Sequence, residues 1–427
     1  MEKEKKRRKI LLFGSIAAAV VVALTAIVII SYYYMNRTFS GYDVEREITR
    51  EDSNNVEYLS YHGKLLKYSR DGISALDKTG NVLWNGGYEM QQPQVDICED
   101  YVVVADIGSK TCIIYDGTNP GKEIETTLPI GRAKVSADGK VAVLLHDDDS
   151  DVINIYDPFS AGEQLLVEIP SNVLDDGYAM DLDLAPDGES IVISYLVAAN
   201  GTMENKVCFY NFTEVGQDQN TLVGGKSFEQ KMISQIKYLD SDRVVIFTED
   251  GFTIFKDMKK PGIQAEVTLK EEIKSIAVDD ENILIVTGVA GNIDDQVVHL
   301  YTLQGKEKMT KQVTIQYSQV EMTRNEILFT GNQNCFLLRK NGTVKFSFDF
   351  GKNYDYFFPT TRENQYFFLD ETTIRIVKLS ADKRHNLMFS YAGSFYKNNV
   401  TIQDQCMEIN KSSCLHVRGF DFHTFGA

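Results

Sequence analysis

The acidic residues come closest to a chemical arrangement. Asp181 and Asp183 alternate with Leu182 and Leu184 in a strand-like stretch, so both carboxylates project to one face. Paired carboxylates can do acid–base work at suitable spacing, although hydrogen bonding at the edge of a sheet is the simpler use of this pair. Asp147 and Asp149 belong to the run His146-Asp147-Asp148-Asp149-Ser150-Asp151, whose clustered carboxylates could in principle hold calcium. That run lacks the glycine and distal glutamate of an EF-hand loop. It falls between Val141–Leu145 and Val152–Ile155, which places it at a solvated hairpin tip.

Other reactive side chains are sparse. Three of the six histidines, His385, His416 and His423, lie near the carboxyl terminus, and no HExxH, glycine-rich phosphate loop or GxSxG elbow is present. A hydrolase triad assembles in space, so spacing alone does not decide against one. The six cysteines form no CxxC pair and no zinc-like cluster with histidine. Cys98, Cys112, Cys208 and Cys335 sit within or beside apolar runs, as small buried hydrophobes do, while Cys406 and Cys414 in a polar tail could pair. No catalytic centre, metal or cofactor is expected.

Met1 to Lys9 carries six basic and two acidic residues, which leaves 38 basic against 59 acidic elsewhere, a net of about −21. Such a surface repels nucleic acid, which binds through basic patches. After Lys5-Lys6-Arg7-Arg8-Lys9, an uncharged stretch runs from Ile10 to Ile30 and ends in Tyr32, Tyr33 and Tyr34. At about 1.5 Å per residue it matches a hydrocarbon core of roughly 30 Å. The basic side should stay in the cytoplasm and the tyrosines should sit at the opposite lipid interface, giving a single-pass cell-membrane protein with an extracellular domain. Ala23-Leu24-Thr25-Ala26 resembles a signal-cleavage site, but apolar residues continue beyond it. Residues 1–9 are thus a cytoplasmic tail, 10–34 a transmembrane helix and 35–55 a polar stalk. Sequons occur at Asn36, Asn200, Asn211, Asn341, Asn399 and Asn410, a weak pattern that matters only in a glycosylating host.

From Val56 the chain becomes a series of short β-rich runs separated by Gly, Asp and Asn. An apolar station recurs at Ile73–Asp77, Cys112–Asp116, Ile153–Asp157, Val207–Asn211, Phe252–Lys256, Val298–Thr302, Phe336–Arg339 and Ile374–Lys378. The mean interval of about 43 residues is the signature of propeller blades, whereas β-sandwich arrays repeat at ~100. Asp138-Gly139 and Asp187-Gly188 supply strand turns, with degenerate copies at Asp240–Arg243 and Ala277–Glu281. The expected fold is all-β, a single β-propeller over residues 56–384 with eight blades or seven, and Asp181 and Asp183 become candidate channel acids. Closure should bring Val56–Tyr61 or Ile73–Leu76 against Ile374–Val377.

Leu76-Asp77-Lys78-Thr79-Gly80-Asn81-Val82-Leu83-Trp84 resembles the repeat of quinoprotein-like and BamB-like propellers, and the Asp-Gly turns resemble WD40 and TolB-type blades. The order of anchor, stalk, that repeat and Gln92–Asp106 is similar to an uncharacterised family of clostridial membrane-anchored propellers, the DUF5711 type. The resemblance covers roughly residues 1 to 380 and implies an envelope location in a Gram-positive anaerobe, without an activity. Quinoprotein enzymes dock their cofactor among several tryptophans, and this chain has only Trp84. Residues 385–427 depart from the pattern, with neither blade period nor clear helix. The expected role is an extracytoplasmic binding or scaffolding module for a protein or cell-wall glycan, anchored in membrane lipid. The rivals are an envelope hydrolase with channel carboxylates and a sensory ectodomain.

Overall fold

The computed structural model describes residues 2–381 apart from 51, 53, 54, 119, 163, 200, 201 and 218–220; the atypical segment 385–427, with Cys406 and Cys414, lies outside the described residues. Eight four-stranded antiparallel sheets form an eight-bladed propeller. Each of blades 1 to 7 is a sequential meander, and its strands are labelled a to d here. The a strands of neighbouring blades approach one another, which places them innermost around the axis. Blades 1 to 7 cover residues 57–87, 93–125, 130–172, 178–229, 233–268, 273–314 and 319–349.

The eight apolar stations are the c strands of the eight blades, from Gly72–Leu76 through to Thr373–Ser380. Strands b and c read as nearly unbroken apolar runs because neighbouring blades cover both of their faces. Val141–His146 and Gly251–Lys256, for example, are buried at all but their last residue. Outer strands such as Leu165–Asn172 alternate instead, since one side meets solvent. The core is accordingly divided between blades. Val103, Cys112 and Ile114 of blade 2 pack on Val135, Val143 and Tyr156 of blade 3, and each other junction repeats this arrangement.

Blade 8 closes the ring with residues from both ends of the chain. Its a to c strands are Tyr356–Pro359, Gln365–Leu369 and Thr373–Ser380, and its d strand is Gly41–Thr49. The register runs from Gly41↔Ser380 to Thr49↔Thr373, with a bulge between Val44 and Arg46. Residues 41–49, read from sequence as stalk, are therefore part of the propeller. An outermost strand needs few apolar residues, and this one is held by its backbone ladder, by Glu47–Arg375 at 2.7 Å and by Tyr42 against Phe348, Phe350 and Phe368. The expected long-range contact is also present, for Tyr58, Leu65 and Leu76 of blade 1 pack on Phe367, Ile374 and Ile376 of blade 8.

Antiparallel alternation sorts the turns. The a–b and c–d turns leave one face of the ring, while the b–c turns and the connections between blades leave the other. Both Asp-Gly turns are a–b turns, and Gly139 and Gly188 take positive φ there (85° and 64°). The amino-terminal helix Glu2–Met35 joins this same face. Its window Ala18–Met35 is long and apolar enough to cross a membrane, and none of it is buried against the ring. Immediately beyond the helix the chain is fastened to the c–d turn and d strand of blade 7. Asn341 Nδ2 donates to Asn36 Oδ1 at 2.9 Å, Arg339 donates to the carbonyl of Arg37, and Phe39 N donates to Lys345 O at 2.9 Å. The sequon asparagines Asn36 and Asn341 are thus engaged with each other. We call the helix side the near face and the opposite side the far face.

Candidate functional site

Strand a of blade 4, Tyr178–Leu184, carries Asp181 and Asp183 to the wall of the central channel. The two carboxylates turn toward the same neighbour, as their period of two requires. Asp181 Oδ2 accepts the backbone N–H of Ile236 at 2.9 Å, and Asp183 Oδ2 accepts that of Tyr238 at 2.7 Å, both from strand a of blade 5. Blade 3 supplies the cations. Arg132 Nη1 lies 2.8 Å from Asp181 Oδ1, and Lys134 Nζ lies 3.7 Å from Asp183 Oδ1. Lys134 also bridges back to Asp96 of blade 2 at 2.9 Å, while Asp96 Oδ2 accepts Val135 N–H at 3.0 Å. Lys237 of blade 5 completes the belt, 3.6 Å from Asp183 Oδ2.

Four inner strands are therefore stitched together by one rule: an aspartate accepts a backbone N–H from the next blade while lysine or arginine neutralises it. Burial works against charge at Asp96, Lys134 and Asp181, and the partners decide the outcome. For Asp96, burial pushes the pKa up, but Lys134 and Lys237 outweigh it and hold the carboxyl below its ordinary value. For Lys134, burial pushes down, yet Asp96 and Asp183 keep the ammonium above its usual range. Asp181 goes the other way, because burial outweighs Arg132 and the Ile236 N–H. A raised carboxyl pKa suits a general acid only if the proton can reach a substrate. Here Oδ1 faces Arg132 and Leu182 N–H, and Oδ2 faces Ile236 N–H.

Asp96, Arg132, Lys134 and Lys237 were not among the residues singled out from sequence. The available signal was the complementary alternation of Arg132-Ala133-Lys134 with Asp181-Leu182-Asp183 on successive first strands.

Asp147 and Asp149 sit where the sequence placed them, on the exposed b–c hairpin tip of blade 3, at the far face. Asp151 at the root of that hairpin is buried, 2.7 Å from His146 Nδ1, and accepts Ala179 N–H of blade 4 at 2.8 Å. Among the described residues, no group of three His, Cys, Asp or Glu is arranged to hold a metal ion. Trp84 is core: it stacks on Tyr115 of blade 2 at 5.2 Å. Burial raises the thiols of Cys98 and Cys112 to about 11 and about 12, as expected of apolar packing residues. A near-face cleft of about 520 Å³ lies between blades 3 and 4, lined by Lys140, Leu166, Glu189 and Phe212, away from the channel belt.

These features define an eight-bladed β-propeller carrying one apolar amino-terminal helix. The chain belongs to the family described as "Family of unknown function (DUF5711)", matched over residues 35–379. No curated protein matches it. Among solved structures it is similar to BamB from Moraxella catarrhalis, with 12% identity, a TM-score of 0.50, and coverage of 79% of this chain and 100% of that one. It is also similar to the computationally designed Ika8 protein (13%, TM-score 0.51, 80% and 100%). A eukaryotic initiation factor scores 0.53 at 10% identity, covering 81% of this chain and 89% of that one. At such identities the likeness is one of fold.

Proposed function

We propose that this protein is a membrane-tethered, extracytoplasmic binding or scaffolding module whose far face receives a protein partner, and that it is not an enzyme. The observation that carries this reading is the junction at Asn36–Phe39. A spanning helix ending at Tyr32–Tyr34 leaves only a few residues before the chain is bonded to blade 7, so the near face is held against the lipid headgroups. The far face, with its b–c turns and blade connections, then points away from the bilayer and is the surface open to partners. The basic cluster Lys5–Lys9 supports a cytoplasmic amino terminus, which puts the ring outside. The channel acids support a non-catalytic role, because each is already occupied by a cation and a backbone N–H from a neighbouring blade.

Photo-crosslinking from the two faces of the full-length protein in its native membrane tests the proposal. A crosslinker at Ile293, on the far-face hairpin of blade 6, should give a discrete protein adduct, and one at Gln304, in the near-face turn of the same blade, should give lipid adducts. Protein adducts from Gln304 with none from Ile293 would reverse the assignment of faces.

A further inference from the structure

The far face is not uniform. Above blades 3 to 5 it exposes four large apolar side chains: Leu174 (89% exposed), Met203 (61%), Tyr178 (53%) and Met232 (46%). They come from three adjoining pieces of chain. Leu174 lies on the connection from blade 3 to blade 4, and Tyr178 opens strand a of blade 4, paired with Leu196. Met203 stands on the b–c hairpin of blade 4, opposite Ala198. Met232 lies on the next connection, where Asn205 Nδ2 of that hairpin donates to Lys231 O at 3.0 Å. Val173 N donates to Asp149 O at 3.3 Å, which ties the patch to the acidic hairpin of blade 3. Singly exposed apolar residues are ordinary, but a group on one surface marks an interaction site.

The charge around the patch says what it fits. Asp147, Asp148 and Asp149 flank it on one side and Glu229 and Glu249 on the other, all exposed. The nearby cations Lys206 and Lys231 are already paired, with Asp176 at 3.5 Å and Asp250 at 2.8 Å. An anionic glycan or lipid surface would be repelled here. We infer that this patch docks a protein segment carrying lysine or arginine beside large apolar side chains, as on a basic amphipathic helix. The inference rests on the binding-module reading and names the chemistry of its partner.

The test uses full-length protein in nanodiscs of zwitterionic lipid and three synthetic 18-residue peptides: Lys and Leu at helical spacing, Glu in place of Lys, and Ser in place of Leu. Fluorescence anisotropy should show the Lys/Leu peptide binding at least about tenfold more tightly than either control, because both charge and apolar contact contribute. Leu174→Ser with Met203→Ser should weaken it about tenfold, and Asp147→Asn with Asp148→Asn and Asp149→Asn should weaken it and flatten its salt dependence. Asp280→Asn with Glu281→Gln, on exposed near-face turns, should leave it unchanged. Equal binding by parent and far-face variants, or equal weakening by the near-face variant, would overturn the inference. Binding that survives in nanodiscs while cell labelling finds the ring in the cytoplasm would sink the extracytoplasmic reading and leave this one standing.

Discussion

Asp183→Ala and Asp183→Asn separate a structural belt from a catalytic one. The Asp183 side chain is 4% exposed and does two jobs: it accepts Tyr238 N–H at 2.7 Å and it faces Lys134 and Lys237 at 3.7 and 3.6 Å. Alanine leaves a buried N–H unsatisfied, which costs about 1–3 kcal/mol, and removes part of the charge balance at Lys134. Lys237 is 40% exposed and rehydrates, so little is added there. The total comes to about 3 kcal/mol. Asparagine keeps an oxygen for Tyr238 and loses only charge, for about 1 kcal/mol. When cleavage follows transient opening, these values mean about a hundredfold and about fivefold faster proteolysis of the full-length protein. Limited proteolysis with thermal unfolding as a second readout would measure both. An alanine variant as stable as the parent, or more stable, would refute the reasoning, because that is how residues strained for function behave.

Three further outcomes rest on the belt, the closing strand and a separate buried ion pair. Asp96 has a folded pKa below its ordinary value of ~3.9, so its stabilisation is complete above that value and fades as the pH falls through the lower folded one. Asp96→Asn should therefore flatten the acid limb of stability between about pH 5 and 2, read by proteolysis with an acid-active protease. Removing residues 1–40 should leave a closed ring, whereas removing 1–50 exposes the edge of Thr373–Ser380 and should give aggregation, measured by light scattering. In the buried group where Lys345 Nζ meets Glu326 Oε2 at 2.5 Å and Tyr366 OH at 2.9 Å, Lys345→Met should cost about 3–5 kcal/mol, most of it regained on adding Glu326→Leu, in a denaturation cycle.

The eight stations were legible, although seven blades stayed open beside eight, because the c strands are covered on both faces and each reads as an apolar run that cannot hide in the sequence. The eight stations kept their register although blade 4 spends ten residues on each of its central strands. The closing strand was not legible. Gly41–Thr49 is outermost, bulged and rich in charged residues, and its partner lies more than 320 residues away, so nothing local marks it as a strand. The channel pair Asp181 and Asp183 was found by its alternation. Its meaning depended on Arg132, Lys134 and Lys237, which the packing of blades 3 and 5 against blade 4 brings near. Asp147 and Asp149 read correctly as a hairpin tip, but the apolar neighbours that give the tip a use come from later connections.

With the near face against lipid, a label there lies closer to the headgroups than a label on the far face. A fluorophore on Gln304→Cys and another on Ile293→Cys occupy opposite ends of blade 6, whose b strand Asn282–Val289 spans the ring from face to face in eight residues, or about 25 Å. In vesicles carrying a nitroxide on the lipid headgroup, with unsubstituted full-length protein as the labelling blank, the Gln304 label should be quenched several times more strongly than the Ile293 label. Equal quenching at both positions, or stronger quenching at Ile293, would contradict it.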